Sequence, residues 1–430
     1  MASRRRRNNP SASPDPHQSQ SPNPDHSFAN TSELDAQIPF YNTTFSAHRV
    51  SPLYIGKEEL TPKRLEVLAH RLRDTLVGDV VRGVEVGMEG DFLGLGRAGA
   101  LEAVEVQWVG LRGVLDLGRE GENEEEEGEW AGKSALYIGL RYGAAGCTAL
   151  LLPGLGRGDN TEEGRGKFWV GEMGGDTTGA DSAQFLSMPL LLLRMPAPLK
   201  AVIAEFLATE FDCRVSQLRL GTRSMVRSWE GWIRSAGLPT RGALAKDVVV
   251  TLGFYIPPPQ GKSDGEAGED DVGNEQLGLK SIDVFIPAAE LRKFVDAGAD
   301  AGRTKRKAAG STWEDNLAKR RKLAGRLHEE GWEWRLAETN VEGDPLAEQH
   351  FTEALGRYVD KHLGLNLFHP GVRITKIACG GFVMSEARVK VFAPADFEGA
   401  SGSSSSSGQR GAILELMQGL VKKAAGGVGK

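Results

Sequence analysis

The chain has 430 residues, of which 40% are hydrophobic, so it is long enough for two or more domains with cores of their own. Its formal net charge of −6 argues against a protein that coats DNA with its whole surface, although a local basic patch is compatible with that charge. No run of about 18 apolar residues is present, so no membrane span is predicted. The three cysteines lie far apart in sequence, which is typical of free thiols in a reducing compartment.

Composition divides the chain into four parts. Residues 1–36 are rich in Ser, Pro, Asn and Asp, and we predict a disordered tail because such a segment cannot bury enough apolar surface to offset its ordering entropy. An N-terminal α+β region at 37–195 and a C-terminal α+β region at 196–394 follow. A Ser-rich linker and a short amphipathic helix occupy 395–430.

The N-terminal region is predicted to hold one helix and several strands. Thr61 is a favoured N-cap, Pro62 suits the first helical turn, and Gly78 follows the apolar helical repeat as a stop signal. Apolar runs and alternation predict strands at 80–86, 101–108, 134–142, 147–152, 167–170 and 185–194. The acidic stretch at 120–129 is interpreted as a solvated loop.

The C-terminal region mixes helices and strands. Thr222 is interpreted as the N-cap of a helix that carries Trp229 and Trp232 on an apolar face, and core packing is the favoured role of both rings. Trp332 and Trp334 are interpreted as strand or edge residues. Further helices are predicted at 198–211, 287–297 and within 344–363, and further strands at 213–220, 247–255 and 279–286.

The ordered region is predicted to close with a β block at 372–394. Gly380 and Gly381 mark either a two-residue hairpin turn or a bulge within one bent strand, and 385–388 marks a second candidate turn. Strands outnumber helices and do not alternate regularly with them. We therefore predict an α+β fold of mostly antiparallel, curved β-sheets with flanking helices and low-complexity insertions.

One glycine-rich motif raises the alternative of a nucleotide-dependent enzyme. The letters GLGRAG, from Gly94 to Gly99, match G-x-G-x-x-G. A dinucleotide site needs these glycines between a strand and a helix, and here a strand-like segment follows. A plain loop is therefore the favoured interpretation, and we predict no cofactor.

The histidines and cysteines do not form a metal-binding pattern. No pair of cysteines has C-x-x-C spacing, and the eight histidines are scattered. The candidate pairs are His350 with Glu353 and His362 with His369, but surface or capping roles are favoured. We predict no catalytic or metal-binding residue.

Two basic runs, RTKRK and KRRK, are separated by eleven residues. This spacing is typical of a bipartite nuclear import signal, and the same cations suit contact with nucleic-acid phosphates. A solvated basic helix face is the alternative. The residues are Arg303, Lys305, Arg306, Lys307, Lys319, Arg320, Arg321 and Lys322.

The last strand of the β block is the strongest candidate for a partner site. A strand near the end of a domain often lies at a sheet edge, where its unpaired backbone accepts a strand from another chain. An ordinary interior strand is the alternative. On the edge interpretation, Asp in place of Val389 and Val391 disrupts partner binding and leaves the chain folded. The predicted partner-binding residues are Phe382, Met384, Arg388, Val389, Lys390, Val391 and Phe392.

Three stretches carry a resemblance to a known family. The first reads PFYNTTFSAHRVSPLYIG with LTPKRLEVLAHRLRDTLVGDVVRGVEVG, the second FLSMPLLLLRMPAPLKAVIAEFLATEFDCRVSQLRLG, and the third GRYVDKHLGLNLFHPGVRITKIACGGFVMSEARVKVFAP. Together they resemble the fungal branch of the CENP-L family, across most of residues 38–394.

The resemblance implies a non-enzymatic scaffold of the inner kinetochore, within the constitutive centromere-associated network. It implies a nuclear, centromeric location, a heterodimer with a CENP-N-type protein and contact with other inner-kinetochore subunits. It places the heterodimer contact in the C-terminal β region, here 372–392. The pair helps to recognise centromeric nucleosomes and supports chromosome segregation, with only modest DNA contact by this chain. A different nuclear adaptor or chromatin protein is the alternative.

Overall fold

Eleven strands form one open antiparallel sheet, which organises the residues that the computed structural model describes. These residues are 38–81, 100–117, 130, 132–143, 145–155, 184–238, 245–255, 279–303, 330–332, 334–335, 349–394 and 404–426. The described strands in chain order are β1 (Thr44–Val50), β2 (Leu53–Tyr54), β3 (Leu101–Gly110), β4 (Ser134–Tyr142), β5 (Ala145–Leu152), β6 (Phe185–Leu186), β7 (Leu190–Arg194), β8 (Val215–Gln217), β9 (Val248–Phe254), β10 (Ser281–Ile286), β11 (Val372–Ala378), β12 (Phe382–Ser385) and β13 (Arg388–Val391).

The strand order is β10-β9-β11-β12-β13-β1-β7-β5-β4-β3, and β8 pairs with β1 beside this path. β2 and β6 form a separate antiparallel pair. The described helices are α1 (Pro62–Val81), α2 (Leu111–Val114), α3 (Ala197–Phe211), α4 (Thr222–Ala236), α5 (Leu291–Arg303), α6 (His350–Leu363) and α7 (Ser404–Ala425). The predicted α+β fold with a mostly antiparallel sheet is confirmed.

Helices cover opposite faces of the sheet in its two halves. The N-terminal half consists of β1, β3, β4, β5, β7 and β8, and the C-terminal half of β9 to β13. On one face, α1 and α3 bury a cluster in which Leu72 joins Leu191 of β7. On the other face, α4, α6 and α7 bury a cluster in which Trp229 and Met417 join Val389 of β13.

The apolar run of β7 explains how one sheet serves two cores. Leu190 and Leu192 belong to the cluster under α4 and α7, whereas Leu191 and Leu193 belong to the cluster under α1 and α3. Successive side chains of a strand point to opposite faces, so a strand that is covered on both faces needs a continuous apolar sequence. β7 therefore lies where the two helical layers overlap.

The structure differs from the predicted elements in the N-terminal region. α1 continues past Gly78 to Val81, so residues 80 and 81 are helical although a strand was predicted at 80–86. Residues 82–86 lie outside the described residues. A helix that has already formed gains one hydrogen bond for each added residue, and one Gly costs only about 1 kcal/mol. The predicted strand at 185–194 is two strands, because Pro189 between them lacks the N–H that a ladder needs.

Three predictions for the tryptophan helix and its surroundings have different outcomes. The N-cap of α4 is Gly221 rather than Thr222. The Thr222 hydroxyl instead donates to the carbonyl of Glu330 at 2.6 Å and accepts from the Ile374 amide at 3.2 Å, so it ties α4 to β11. Core packing of Trp229 and Trp232 is confirmed, since both are buried.

Trp332 and Trp334 are buried as well, which the edge interpretation did not predict. The Trp332 indole N–H donates to the carbonyl of Val372 at 3.0 Å, and that of Trp334 donates to the carbonyl of Gly331 at 2.8 Å. A buried indole is stable only when its N–H finds an acceptor. The two rings therefore belong to the core beside β11.

Two hairpins connect the last three strands, as the two candidate turns predicted. Residues 379–381 join β11 to β12, and 386–387 join β12 to β13. Gly381 lies against the indole of Trp232, and a Cβ at that position would overlap the ring. The first hairpin therefore requires glycine for close packing on α4.

A buried carboxylate of α4 caps the first turn of α6. Glu230 Oε1 accepts hydrogen bonds from the Thr352 amide at 2.9 Å and from the Thr352 hydroxyl at 2.7 Å. The first amides of a helix have no partner within the helix, so this carboxylate supplies one. Burial raises the pKa of Glu230 above its ordinary value of 4.5, and the hydrogen bonds from Thr352 offset part of that rise.

We expect Glu230→Gln to become more stable relative to the natural chain as the pH rises. A raised pKa means that the folded chain binds more protons than the unfolded chain above about pH 4.5, so its free energy of unfolding falls as pH rises through that window. Gln keeps an acceptor for Thr352 and has no proton to lose. Urea unfolding of both proteins across this pH range measures the difference, and a difference independent of pH would contradict the role of the buried charge.

Candidate partner-binding surface

The predicted partner strand lies inside the sheet. β13 pairs with β12 on one side, through Val389 with Met384, and with β1 on the other, through Val389 with Phe45. The expectation that this strand forms a free edge is therefore wrong. The physical reason is a long-range pairing: β1, from the start of the described chain, occupies the side that the local sequence left open.

The seven predicted partner residues divide between the two faces of the sheet. Four of them, Phe382, Met384, Val389 and Val391, are buried in the core under α4 and α7. The other three point to the opposite face, where Arg388 is exposed and Lys390 and Phe392 are half-buried. A partner can therefore contact Arg388, Lys390 and Phe392, whereas the four buried residues support the strand from beneath. The binding role itself stays a prediction.

Cross-strand pairing aligns the outward residues of the C-terminal half in two rows. One row is mainly polar, and the other is mainly apolar. The polar row runs through Arg388, Ser385, Lys376, Thr251 and Asp283. The apolar row runs through Lys390, Val383, Ala378, Val249 and Phe285.

We call these two rows, together with Phe392, the open face. The residues of the open face are half-buried or exposed. The helices α1 and α3 cover the same side of the sheet only in the N-terminal half. The open face is thus a pleated surface with one apolar stripe.

Cations concentrate at the β13 end of the open face. The ammonium groups of Lys246 and Lys390 lie 5.0 and 5.2 Å from the ring centroid of Phe392. The pKa of Lys200 is lowered, mainly by burial and further by the nearby charge of Arg388. At the opposite end of the polar row, Asp283 accepts a hydrogen bond from the Thr251 hydroxyl at 2.6 Å. The surface is therefore positive beside β13, and on β10 it ends with the exposed ring of Phe285 in the apolar row and the carboxylate of Asp283 in the polar row.

The free edge of the C-terminal half is β10. Among the described strands, β10 pairs with β9 alone, so its outer backbone groups are available to another chain. Phe285 of this strand is 63% exposed, and Leu279 just before it is 59% exposed. The apolar row of the open face thus ends on an edge strand that carries an exposed aromatic ring.

Sequence reasoning placed a strand at 279–286 but missed the exposed ring. The signal is the alternation within β10, where Val284 and Ile286 are buried and Ser281, Asp283 and Phe285 are exposed. A large aromatic residue on the polar side of an alternating strand is a departure from the pattern. Such a departure is a reason to suspect a binding surface.

The cysteines of the described residues are buried thiols of low reactivity. Burial raises the pKa of Cys213 to about 11 and that of Cys379 to about 12, so both thiols stay protonated near neutral pH and are poor nucleophiles. All three cysteines are free and buried. Within the described ranges, no three His, Cys, Asp or Glu side chains lie close enough to hold a metal ion.

The two histidine pairs raised by the sequence have other partners. Glu353 forms an ion pair with Arg335. The ring of His362 lies 4.5 Å from that of Tyr358, and His369 Nδ1 accepts a hydrogen bond from the Gly371 amide at 3.0 Å. The contacts of His362 and His369 are local, whereas the ion pair of Arg335 with Glu353 joins residues that are 18 apart in sequence.

Several predicted features lie outside the described residues. Among them are the 1–36 tail, the loop from Gly94 to Gly99 and both basic runs apart from Arg303, which ends α5. Their roles stay predictions. None of the helices described is both long enough and apolar enough to cross a membrane.

Comparison with known proteins agrees with the resemblance seen in the sequence. The family model described as CENP-L, Centromere protein L, matches residues 39–425. The match spans the whole sheet, the helices on both of its faces and the open face. No curated protein matches the chain.

Proposed function

The chain belongs to the CENP-L family, and on this premise we propose that it is a non-enzymatic scaffold that pairs with a CENP-N-type protein. Membership implies a role at the inner kinetochore, beside other subunits of that assembly, and a location at the centromere in the nucleus. The proposal is the pairing with a CENP-N-type protein. Through this pairing the chain supports recognition of centromeric chromatin and chromosome segregation.

The observation that carries the proposal is the apolar row that ends on the free edge strand. An incoming strand can pair with the backbone of β10 while its side chains cover Phe285 and Leu279. Burial of one exposed Phe contributes roughly 2 kcal/mol, and edge pairing adds directional hydrogen bonds. The open face beside it, with Val249 and Val383, extends the area that a partner can bury.

The cations at the β13 end of the open face specify the partner further. Lys246, Arg388 and Lys390 favour a partner surface with carboxylates opposite them, because complementary charge speeds encounter and penalises wrong partners. The family resemblance implies that the partner carries much of the direct nucleosome contact and that contact with DNA by this chain is modest. The formal net charge of −6 agrees with this, although it is compatible with a local basic patch.

Localisation separates the proposal from its alternatives. We expect the tagged full-length chain to form nuclear puncta that coincide with a centromere marker and to co-purify with a CENP-N-type protein. Uniform nuclear signal without centromere enrichment would instead identify another nuclear adaptor. For the enzyme alternative, we expect no thermal stabilisation by nucleotides, and a stabilisation that Gly96→Trp removes would contradict the scaffold proposal.

A further inference from the structure

A groove runs between α4 and α7, on the helix-covered side of the sheet. Its volume is about 410 Å³, and side chains of both helices line it. The two helices pack antiparallel, because Gly408 at the start of α7 lies beside Ser235 at the end of α4, while Glu415 lies beside Gly231. The last turn of α7 is therefore next to the first turn of α4.

Cationic side chains concentrate where these two turns meet. Arg223 and Arg227 come from the start of α4, and Lys422 and Lys423 come from the end of α7. The guanidinium of Arg49 donates to the carbonyl of Lys423 at 3.2 Å, which fixes the end of α7 on β1. Because the cations belong to two packed helices, their positive charge is held in place at one end of the groove.

One carboxylate lines the groove at its other end. Glu415 accepts a hydrogen bond from the Ser235 hydroxyl, and Gly231 beside it leaves room for the carboxylate. The groove thus has a positive end and a polar end.

The floor of the groove is apolar. Trp232 of α4 and Leu416 and Leu420 of α7 are buried residues that also line it. Among the residues that the structure describes, no atom lies within 4 Å of the position that a Cβ of Gly419 would take. A phosphate backbone makes little use of such a floor, whereas an apolar side chain gains free energy by covering it.

We infer that this groove binds an acidic segment of a partner protein, with carboxylates at the cationic end and one bulky apolar side chain on the floor. Charge complementarity selects the acidic residues, and a volume of about 410 Å³ suits one or two side chains. The groove and the open face lie on opposite sides of the sheet. This second contact therefore goes beyond the proposed pairing, and both surfaces can be occupied at once.

Fluorescence anisotropy with the full chain tests the inference. The probe is a labelled short peptide of Asp and Glu residues around one Phe, and we expect saturable binding. Replacing the Phe of the peptide by Ala should weaken binding about tenfold. Lys422→Glu should weaken it about fivefold, and Gly419→Leu, which fills the groove, about tenfold.

Matched variants keep the test specific. Lys63→Glu reverses an exposed cation of α1, away from both proposed surfaces, and Gly411→Leu adds the same side chain at an exposed position of α7. We expect both to bind the peptide like the natural chain, and melting temperatures establish that every variant is folded. An affinity for the peptide that is unchanged in Lys422→Glu and Gly419→Leu would overturn the inference. Preferential binding of duplex DNA at the same cations would overturn it as well.

Discussion

A single Val389→Asp substitution is expected to unfold the isolated chain. If β13 were an edge strand, the same substitution would leave the chain folded. Val389 is 2% exposed and pairs across the sheet with Phe45 and Met384, both of which are also buried. An Asp there must either carry an unpaired charge in the core or bind a proton, and each outcome costs several kcal/mol. Total stabilities of about 5–15 kcal/mol leave little margin for that cost.

Lys390→Asp is the matched control for this prediction. Lys390 is the next residue of the same strand, but its side chain points to the open face. We expect its variant to keep the thermal transition of the natural chain and to weaken partner binding. Circular dichroism and thermal unfolding of the two purified variants measure the contrast. A Val389→Asp protein with an unchanged melting temperature would contradict the interior position of β13.

Local patterns predicted most of the elements around this strand. The strand at 134–142 has the observed bounds of β4, and the second half of the strand predicted at 185–194 is observed as β7. The helix predicted at 198–211 begins one residue earlier in the structure, at Ala197. These elements were predictable because apolar periodicity, Pro and Gly act within a few residues of the chain.

The strand order could not be predicted in the same way. Alternation in β13 tells which of its residues share a face, and it correctly separates Val389 and Val391 from Arg388 and Lys390. It does not tell whether another strand occupies either side. That depends on β1, which is distant in sequence and packs between β13 and β7. Among the described strands, the edge of the C-terminal half is β10, and the sequence predicted it only as a strand.

Phe285→Asp is expected to weaken partner binding strongly while the chain stays folded. The ring of Phe285 is 63% exposed, so its loss changes the free energy of unfolding by no more than about 0.5 kcal/mol. In the complex, Phe285→Asp would put a charged side chain at the site where the partner buries the ring of Phe285 in the natural chain. We expect a loss of at least about 2 kcal/mol of binding free energy, which corresponds to a Kd raised roughly 30-fold.

Phe185→Asp is the matched control for this second prediction. Phe185 is 52% exposed, but it belongs to the separate β2–β6 pair and packs on Tyr54 with ring centroids 5.4 Å apart. Its substitution introduces the same charge and removes the same ring from another surface. We expect the Phe185→Asp chain to bind the partner with the Kd of the natural chain.

The most direct measurement is the Kd of the purified full-length chain for a CENP-N-type protein, determined for the natural chain, Phe285→Asp and Phe185→Asp. We predict tight binding by the natural chain and by Phe185→Asp, and a Kd raised roughly 30-fold or more for Phe285→Asp. Equal binding by all three proteins, or an equal loss in both variants, would contradict a partner surface built on β10 and the open face.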